Sequence, residues 1–452
     1  MKIGIMGYGI VGKSMVSFLS KKIQTPDLIA LWDERELSCD EKIELDQLGI
    51  DTLSSGLNTL EEFAHFCDVI IPSAGICPKK YENYAHKVMT EVDFFAAHYQ
   101  KRHFAVTGAL GKTTITNLFA YLLMFFVKKD VVAGGNIGVG LCDVIANQDR
   151  HAGAVLELSS FQLQLSSRFS PHGVIFTTFI PNHLDRHETL QNYFTAKWNA
   201  CINQGPGQWA VVPVQLLQEP YREFTLPALR SYRGKLLFYS VEKPSDEIQE
   251  IMVGLKAGFL CYQESIVIQS ALFKITPLVN IVALAAALLC EGFDLTSIPN
   301  EVMDIIVKRH ILEHGQHRME YCGTINGIEV FNDSKSTAME ATFSAVGMVA
   351  QQGKKAVVIL GGLSKGVDRT GMIEDLKMHN AVRAVIMLGG DISDSVLPEQ
   401  YSNLDDVVDA AFSHAQPDDA ILFSPGGSSF DLFKNYQDRG QLFKLSLKRW
   451  KE

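Results

Sequence analysis

The sequence predicts an α/β protein of three successive domains, and three observations carry that expectation. Short apolar segments of strand length alternate with helical stretches along the chain, the pattern of parallel sheets covered on both faces. Several of these segments run directly into glycine-rich turns, as strand ends do where a sheet presents its carboxyl edge to a ligand. The chain has 452 residues, more than one hydrophobic core ordinarily holds. The expected divisions are residues 1–92, 93–312 and 313–452.

In the first division, Lys2 to Met6 reads as a strand, Lys13 to Ser20 as a helix, and Leu28 to Trp32 and Val69 to Pro72 as two further strands. The second opens on a strand, Phe104 to Thr107, and a helix from Thr113 to Val127; Ala154 to Glu157 and Val174 to Thr178 follow as buried strands. Residues 205–275 read as irregular, with several short β segments, and Leu278 to Leu289 as an alanine-rich helix. The third begins with a hairpin turning at Asn326-Gly327, a dipeptide suited to the left-handed positions of a tight turn. Strands at Ala356 to Leu360, Ala384 to Leu388 and Ala420 to Phe423 complete a third α/β domain.

Composition narrows the class. Hydrophobic residues make up 47% and charged residues 20%, the balance of an ordinary globular protein. A net charge of -10 argues against nucleic acid as a partner. The apolar runs Leu122 to Val127 and Ile281 to Cys290 are too short to span a bilayer, and the N-terminus enters a strand without the pattern of a signal peptide. A cytoplasmic protein with no membrane partner is therefore expected, and a monomer is the expected state though composition does not fix it. The eight cysteines form no C-x-x-C pair and are expected as reduced, mostly buried thiols.

Two glycine turns point to phosphate chemistry. Gly7-x-Gly9-x-x-Gly12 follows a strand and opens a helix, with Asp33 about 20 residues on, where a dinucleotide fold would place its ribose ligand. A tight turn without a ligand reads equally from these residues. The segment Thr107-Gly108-Ala109-Leu110-Gly111-Lys112-Thr113-Thr114 is more specific, although Val106 stands where the strict phosphate-loop pattern has its first glycine. Its backbone N–H groups can cradle phosphates, Lys112 adds charge and Thr113 can ligate magnesium. Lys112 is expected in a solvent-facing loop. Glu157 ends an apolar strand, where a carboxylate is costly unless paired or metal-bound.

Together with Glu157-Leu158-Ser159-Ser160-Phe161-Gln162-Leu163, this phosphate loop resembles the Mur ligases, and within them the branch that adds D-glutamate to a UDP-linked muramoyl-alanine. The resemblance runs the length of the chain: Gly134-Gly135-Asn136-Ile137-Gly138, Asn182-His183-Leu184-Asp185-Arg186-His187, Tyr193-x-x-Ala196-Lys197, His317-Arg318-x-Glu320, Asn332-Asp333-Ser334-Lys335-Ser336-Thr337, Gly361-Gly362-Leu363-Ser364-Lys365 and Ser424-Pro425-x-x-x-Ser429-x-Asp431 follow in family order. It implies a Rossmann-like N-terminal domain that binds the UDP end of the substrate, a central P-loop-type ATPase domain, and a Rossmann-like C-terminal domain that binds the amino acid.

Carried over position by position, the resemblance implies that Gly108, Gly111, Lys112, Thr113, Thr114, Asn280, Arg318 and Asp333 contact ATP. Ile10, Val11, Asp33, Glu34, Arg35, Ser73, Gly75, Asn136 and Ser159 would contact the UDP substrate. Lys335, Thr337, Lys365, Ser429, Phe430 and Tyr436 would surround D-glutamate, a cation and hydroxyls suiting its carboxylates. Lys112, Glu157, His183 and Lys197 would carry the chemistry, with Thr113, Glu157, His183 and a carbamylated Lys197 serving two magnesium ions. The chain departs from the family pattern at Ala109 and Leu110, at Asn182 in place of aspartate, and at Thr276-Pro277 in place of a histidine and an asparagine.

The implied reaction transfers the γ-phosphoryl of ATP to the carboxylate of UDP-N-acetylmuramoyl-L-alanine, and the amine of D-glutamate then displaces phosphate from the acyl phosphate. Alternatives are another Mur or folylpolyglutamate-type ligase, a nicotinamide dehydrogenase built on Gly7 to Gly12, or a non-catalytic nucleotide-binding relative. The dehydrogenase would leave the Gly111-Lys112-Thr113 turn without a task.

Overall fold

In the computed structural model the described residues are 2–22, 29–48, 50–52, 60–261, 272, 276–294, 297–350, 352–391 and 399–450. They form two compact units: Met1–Phe179 with Gln191–Ile268 and Leu278–Ile298, and Ile180–Leu190 with Gln269–Pro277 and Pro299–Glu452.

The first unit holds two sheets. Strands β1 (Ile3–Met6), β2 (Ile29–Trp32), β3 (Asp51–Thr52) and β4 (Val69–Pro72) form a parallel sheet in the order β3-β2-β1-β4. The second comprises β5 (Arg102–Thr107), β6 (Val131–Gly135), β7 (Gly153–Glu157), β8 (Gly173–Phe176), β9 (Trp209–Pro213), β10 (Lys235–Ser240) and β11 (Gly258–Cys261). Its order is β11-β10-β9-β8-β5-β7-β6, and every pairing is parallel. Strands β7, β8 and β9 are buried throughout, as an apolar run covered on both faces must be.

The second unit carries β12 (Glu320–Ile325), β13 (Ile328–Asn332), β14 (Ala356–Gly361), β15 (Val382–Leu388), β16 (Gln400–Tyr401) and β17 (Ala420–Phe423), in the order β12-β13-β17-β14-β15-β16. Only β12 and β13 pair antiparallel, through the hairpin at Asn326-Gly327, where both residues take positive φ.

The stretch 205–275 is more regular than its sequence suggests. It contributes β9, β10 and β11 to the second sheet, separated by the helices Arg222–Ser231 and Asp246–Gly254. Pro227 lies inside the first helix, which hides its periodicity. Leu28 and residues 262–271 and 273–275 lie outside the described residues. All eight cysteines are free, but only Cys67, Cys142, Cys201 and Cys261 are buried and Cys39 is exposed, so burial is less general than expected. No helix among the described residues is long and apolar enough to cross a membrane.

Candidate functional site

The phosphate loop leaves β5, the strand flanked by β7 and β8, and turns into the helix Lys112–Val127. Its glycines are sterically required. Gly108 has φ +127°, and a Cβ there would lie 2.0 Å from Thr177 Oγ1; Gly111 has φ +80°, and its Cβ would meet the Asn280 amide at 2.5 Å. The loop is held from β8's far end, where Ala109 N–H donates to Thr178 O at 2.7 Å and Leu110 N–H to Thr178 Oγ1 at 3.3 Å. Lys112 is the first residue of the helix rather than a solvent-facing loop residue. It is half-buried, and its Nζ donates to Ala109 O at 2.8 Å. The helix begins here because Gly111 takes the left-handed cap, which turns the chain inward earlier than the sequence suggests.

Glu157 closes β7, 3% exposed, with both carboxylate oxygens engaged. Thr113 Oγ1 donates to Oε2 at 2.5 Å and Asn136 Nδ2 to Oε1 at 3.0 Å, so the first helical turn, the Gly134–Gly138 loop and the end of β7 converge on one carboxylate. Gly135 permits that convergence: its φ is +90°, and a Cβ would lie 2.3 Å from Glu157 O. A hydroxyl and an anionic carboxylate in contact form a hard-oxygen donor set, which fits magnesium. No group of three or more His, Cys, Asp and Glu is assembled among the described residues, so any ion here depends on ligands of other kinds, such as a hydroxyl and phosphate oxygens.

Lys197 lies on the helix Leu190–Trp198, 2% exposed. Its Nζ donates to Gly108 O at 2.6 Å and sits 4.5 Å from the centre of the Tyr193 ring. Burial holds its amine well below the usual lysine range; the Lys112 charge pushes the same way and Glu157 opposes it. The structure therefore brings Lys112, Thr113, Glu157, Asn136 and Lys197 around the phosphate loop. Asn280, 7% exposed, stands against Gly111.

Of the residues expected at the UDP end, all but Asn136 and Ser159, which follow β6 and β7 of the second sheet, gather at the carboxyl edge of the first sheet. Ile10 and Val11 open the helix after β1, Asp33 to Arg35 follow β2, and Ser73 to Gly75 follow β4. Ile10 is 81% exposed. The Asp33 carboxylate accepts from Tyr8 N–H at 2.6 Å and from Arg35 N–H at 2.9 Å, Arg35 pairs with Glu41, and Glu34 pairs with Lys80. Asp33 thus already orders the glycine turn, and Gly12 is needed for backbone clearance, since its Cβ would lie 1.9 Å from Gly7 O. Ser159 caps the helix Ser160–Leu163, its Oγ and N–H both bound to the Gln162 side chain at 3.1 and 3.0 Å.

In the second unit, three neighbouring parallel strands, β13, β17 and β14, present their carboxyl-end loops side by side. Asp333, 7% exposed, accepts from Met319 N–H at 3.1 Å and Ser424 Oγ at 2.8 Å, and from Ser336 Oγ. Burial pushes its carboxyl up to about 6, while those hydrogen bonds and the Arg318 charge oppose the rise. Lys365, at φ +56°, donates to Thr337 O and Oγ1 at 3.2 and 3.1 Å, and Lys335 Nζ lies 5.0 Å from the Tyr436 ring. Ser429 is buried, whereas Phe430 is 73% exposed. His183, also in this unit, is half-buried at φ +55° and precedes the short helix Leu184–His187; Asn182 Oδ1 accepts its N–H at 2.9 Å.

Sequence reasoning missed the residues that hold these loops. Arg439, 1% exposed, donates to Gly427 O at 3.1 Å and to Ser334 O and Oγ at 2.7 and 3.1 Å. Arg369 donates to Gly362 O at 2.6 Å, Gly426 O at 3.1 Å and Asp391 at 2.8 Å. Thr178 holds the phosphate loop in the opposite sense, accepting the Ala109 and Leu110 N–H groups. No local motif marks any of them, because each acts on backbone far away in sequence.

Two family models match the chain, the Mur ligase middle domain over residues 106–288 and the Mur ligase glutamate ligase domain over residues 317–427. A UDP-N-acetylmuramoylalanine–D-glutamate ligase of Desulfotalea psychrophila is 31% identical, over 85% of this chain and 82% of its own. One from Thermosipho africanus is 28% identical over 100% of this chain and 99% of its own. The fold resembles MurF ligase of Thermotoga maritima in complex with ADP, with a TM-score of 0.56 at 14% identity, covering 95% of this chain and 97% of that one. It also resembles E. coli FolC in complex with DHPP and ADP, with a TM-score of 0.53 at 14% identity over 84% of this chain and 99% of that one. The phosphate loop, the Glu157 strand end and the loops after β13 and β14 lie within the matched segments, and the chain belongs to the Mur ligase family.

Proposed function

We propose that the protein is the ATP-dependent ligase that adds D-glutamate to UDP-N-acetylmuramoyl-L-alanine in peptidoglycan precursor synthesis. The observation that carries the reading is the convergence of Thr113, Asn136 and Glu157 beside a phosphate loop braced by Lys197. The full-length similarity to D-glutamate ligases supports the choice of acceptor.

In this reading the loop amides and the Lys112 ammonium bind the transferring phosphoryl group, and Asn280 and Thr114 support the nucleotide. Thr113 and Glu157 would hold magnesium, with His183 and a carbamylated Lys197 as further metal ligands, and the ions would offset repulsion between phosphate and carboxylate. Attack of the substrate carboxylate on the γ-phosphorus releases ADP and leaves an acyl phosphate. The D-glutamate nitrogen then bonds to the acyl carbon, phosphate departs, and the nitrogen sheds its proton. Lys197 suits carbamylation because burial favours its neutral amine, the form that adds carbon dioxide and releases a proton.

Arg318 and Asp333 take the nucleotide in the second unit, and Lys335, Thr337, Lys365, Ser429, Phe430 and Tyr436 take D-glutamate. Ile10, Val11, Asp33, Glu34, Arg35, Ser73, Gly75, Asn136 and Ser159 take the UDP substrate. Residues 1–92 serve the UDP substrate, residues 93–312 the nucleotide and part of the UDP substrate, and residues 313–452 D-glutamate and part of the nucleotide, and the enzyme acts as a cytoplasmic monomer. The test is phosphate release from ATP with magnesium, the UDP substrate and each amino acid in turn. Release should require D-glutamate; equal rates with L-alanine, or release without any amino acid, would reject the assignment.

A further inference from the structure

Glu91 is the first residue of the helix Glu91–His98, 6% exposed, and belongs to none of the motifs above. Its Oε2 accepts from Gln162 Nε2 at 3.4 Å. With Pro72, Ala74, Thr90, Phe161 and Gln162 it lines a cavity of about 20 Å³, between the loop after β4 and the Ser159–Leu163 segment. The other end of the same amide, Gln162 Oε1, accepts both the N–H and the hydroxyl of Ser159.

A side-chain amide has a donor end and an acceptor end, and its two orientations differ only in which partner each end meets. A carboxylate can only accept. Placed beside Gln162, it requires the NH₂ toward itself and therefore directs the oxygen toward Ser159. The reversed amide would set the NH₂ against the Ser159 N–H, donor against donor, and break the cap. The geometry points to Glu91 as a positioning residue whose carboxylate fixes the orientation of the Gln162 amide and, through it, the Ser159 hydroxyl that contacts the muramoyl substrate. This rests on the ligase reading given above.

Burial pushes the Glu91 carboxyl up to about 7; the Gln162 and Leu141 N–H groups oppose the rise and the Asp143 charge adds to it. Asp143 and Cys142 face it from the helix Leu141–Ala146, and the Cys142 thiol is raised by its own burial and by Glu91. Tyr81 also lines the cavity, and the Ser160–Leu163 helix carries only neutral side chains. Asp93, two residues on, turns away to accept from the Ser166 hydroxyl and the Ser167 and Arg168 N–H groups. Glu91 is thus the carboxyl whose ionisation changes the demand placed on Gln162 near neutral pH.

The experiment measures KM for UDP-N-acetylmuramoyl-L-alanine, KM for ATP and kcat between about pH 6 and pH 9, in wild type, Glu91→Gln and Gln162→Ala, with melting curves for each. Wild-type KM for the UDP substrate should rise about fivefold as pH falls through 7, the loss expected of one hydrogen-bond constraint. Glu91→Gln should show the higher value at every pH, with kcat and the ATP KM nearly unchanged. Gln162→Ala should also lose the pH dependence, and it carries the test if Glu91→Gln fails to fold. A variant whose KM follows the wild-type profile overturns the inference while leaving the ligase reading intact. Wild type without D-glutamate-dependent turnover overturns both.

Discussion

Lys197 Nζ and Gly108 O lie 2.6 Å apart, joining the buried face of the helix Leu190–Trp198 to the phosphate-loop turn. The contact places a titratable amine against the loop that the nucleotide must occupy. Because burial holds that amine toward its neutral form, it is available for reaction with carbon dioxide.

Lys197→Ala should therefore lose nearly all ligase activity, and acetate should restore a small part of it by occupying the vacated space. Rescue is incomplete because a free anion gives up translational entropy that a tethered one does not. Steady-state rates with and without acetate check this; full activity in the unsupplemented variant would exclude a carbamate role.

Removing the Thr113 hydroxyl takes away the donor that meets Glu157 Oε2. Thr113→Val should lower kcat by about two orders of magnitude and shift the magnesium dependence to higher concentration, with little change in melting temperature. A magnesium titration of phosphate release measures both; an unaltered midpoint would exclude Thr113 as a ligand.

Gly111→Ala meets two penalties, a left-handed φ of +80° and a Cβ 2.5 Å from the Asn280 amide. Destabilisation of about 2 kcal/mol is expected. Adding Asn280→Ala should recover only part of it, because the second change relieves the clash and not the backbone strain. Denaturant titration of the two variants separates the contributions.

Glu91 contributes to stability with a definite sign. Its folded-state value of about 7 lies above the ordinary 4.5, so the folded protein holds the proton more tightly than the unfolded chain. That stabilisation is complete below about pH 4.5 and disappears as pH rises through 7. Glu91→Gln, which cannot ionise, should gain on wild type over that interval, by about 3 kcal/mol at pH 8. Melting temperatures from pH 5 to pH 8 should diverge accordingly, and parallel curves would contradict the assignment.

Arg439→Met should cost about 3 kcal/mol, since it leaves the Ser334 and Gly427 carbonyls buried without their donor. D-Glutamate KM should rise with it, because Ser429 and Lys335 sit on the two loops that Arg439 joins. Lysine should not substitute, having no planar fork to reach both loops. Wild-type stability in the methionine variant would show that the contacts are not needed.

The loops were legible in the sequence because phosphate turns need glycine where φ is positive, and Gly108 and Gly111 meet that need within a few residues. Strands such as Val69–Pro72 and Ala420–Phe423 were legible because burial on both faces makes them uniformly apolar. The parallel extension β9-β10-β11 was not, because Pro227 and short amphipathic helices interrupt its rhythm. Arg369 and Arg439 were also invisible. An arginine within a polar helical stretch reads as a solvated face, and only the fold shows that it serves backbone carbonyls remote in sequence.

The helix that follows the phosphate loop is buried on every side from Thr113 to Leu123. It packs on β5, β6 and β7 and against the helix Leu278–Cys290. Burial on every side leads us to expect that its interior amides exchange through unfolding of the surrounding structure rather than by local fraying. Their exchange rates therefore measure the total free energy of the unit. A nucleotide bound at the loop and the first helical turn should slow the amides further along through mass action, which makes the helix interior from Ile115 to Leu123 a gauge of occupancy beyond the ligand's reach.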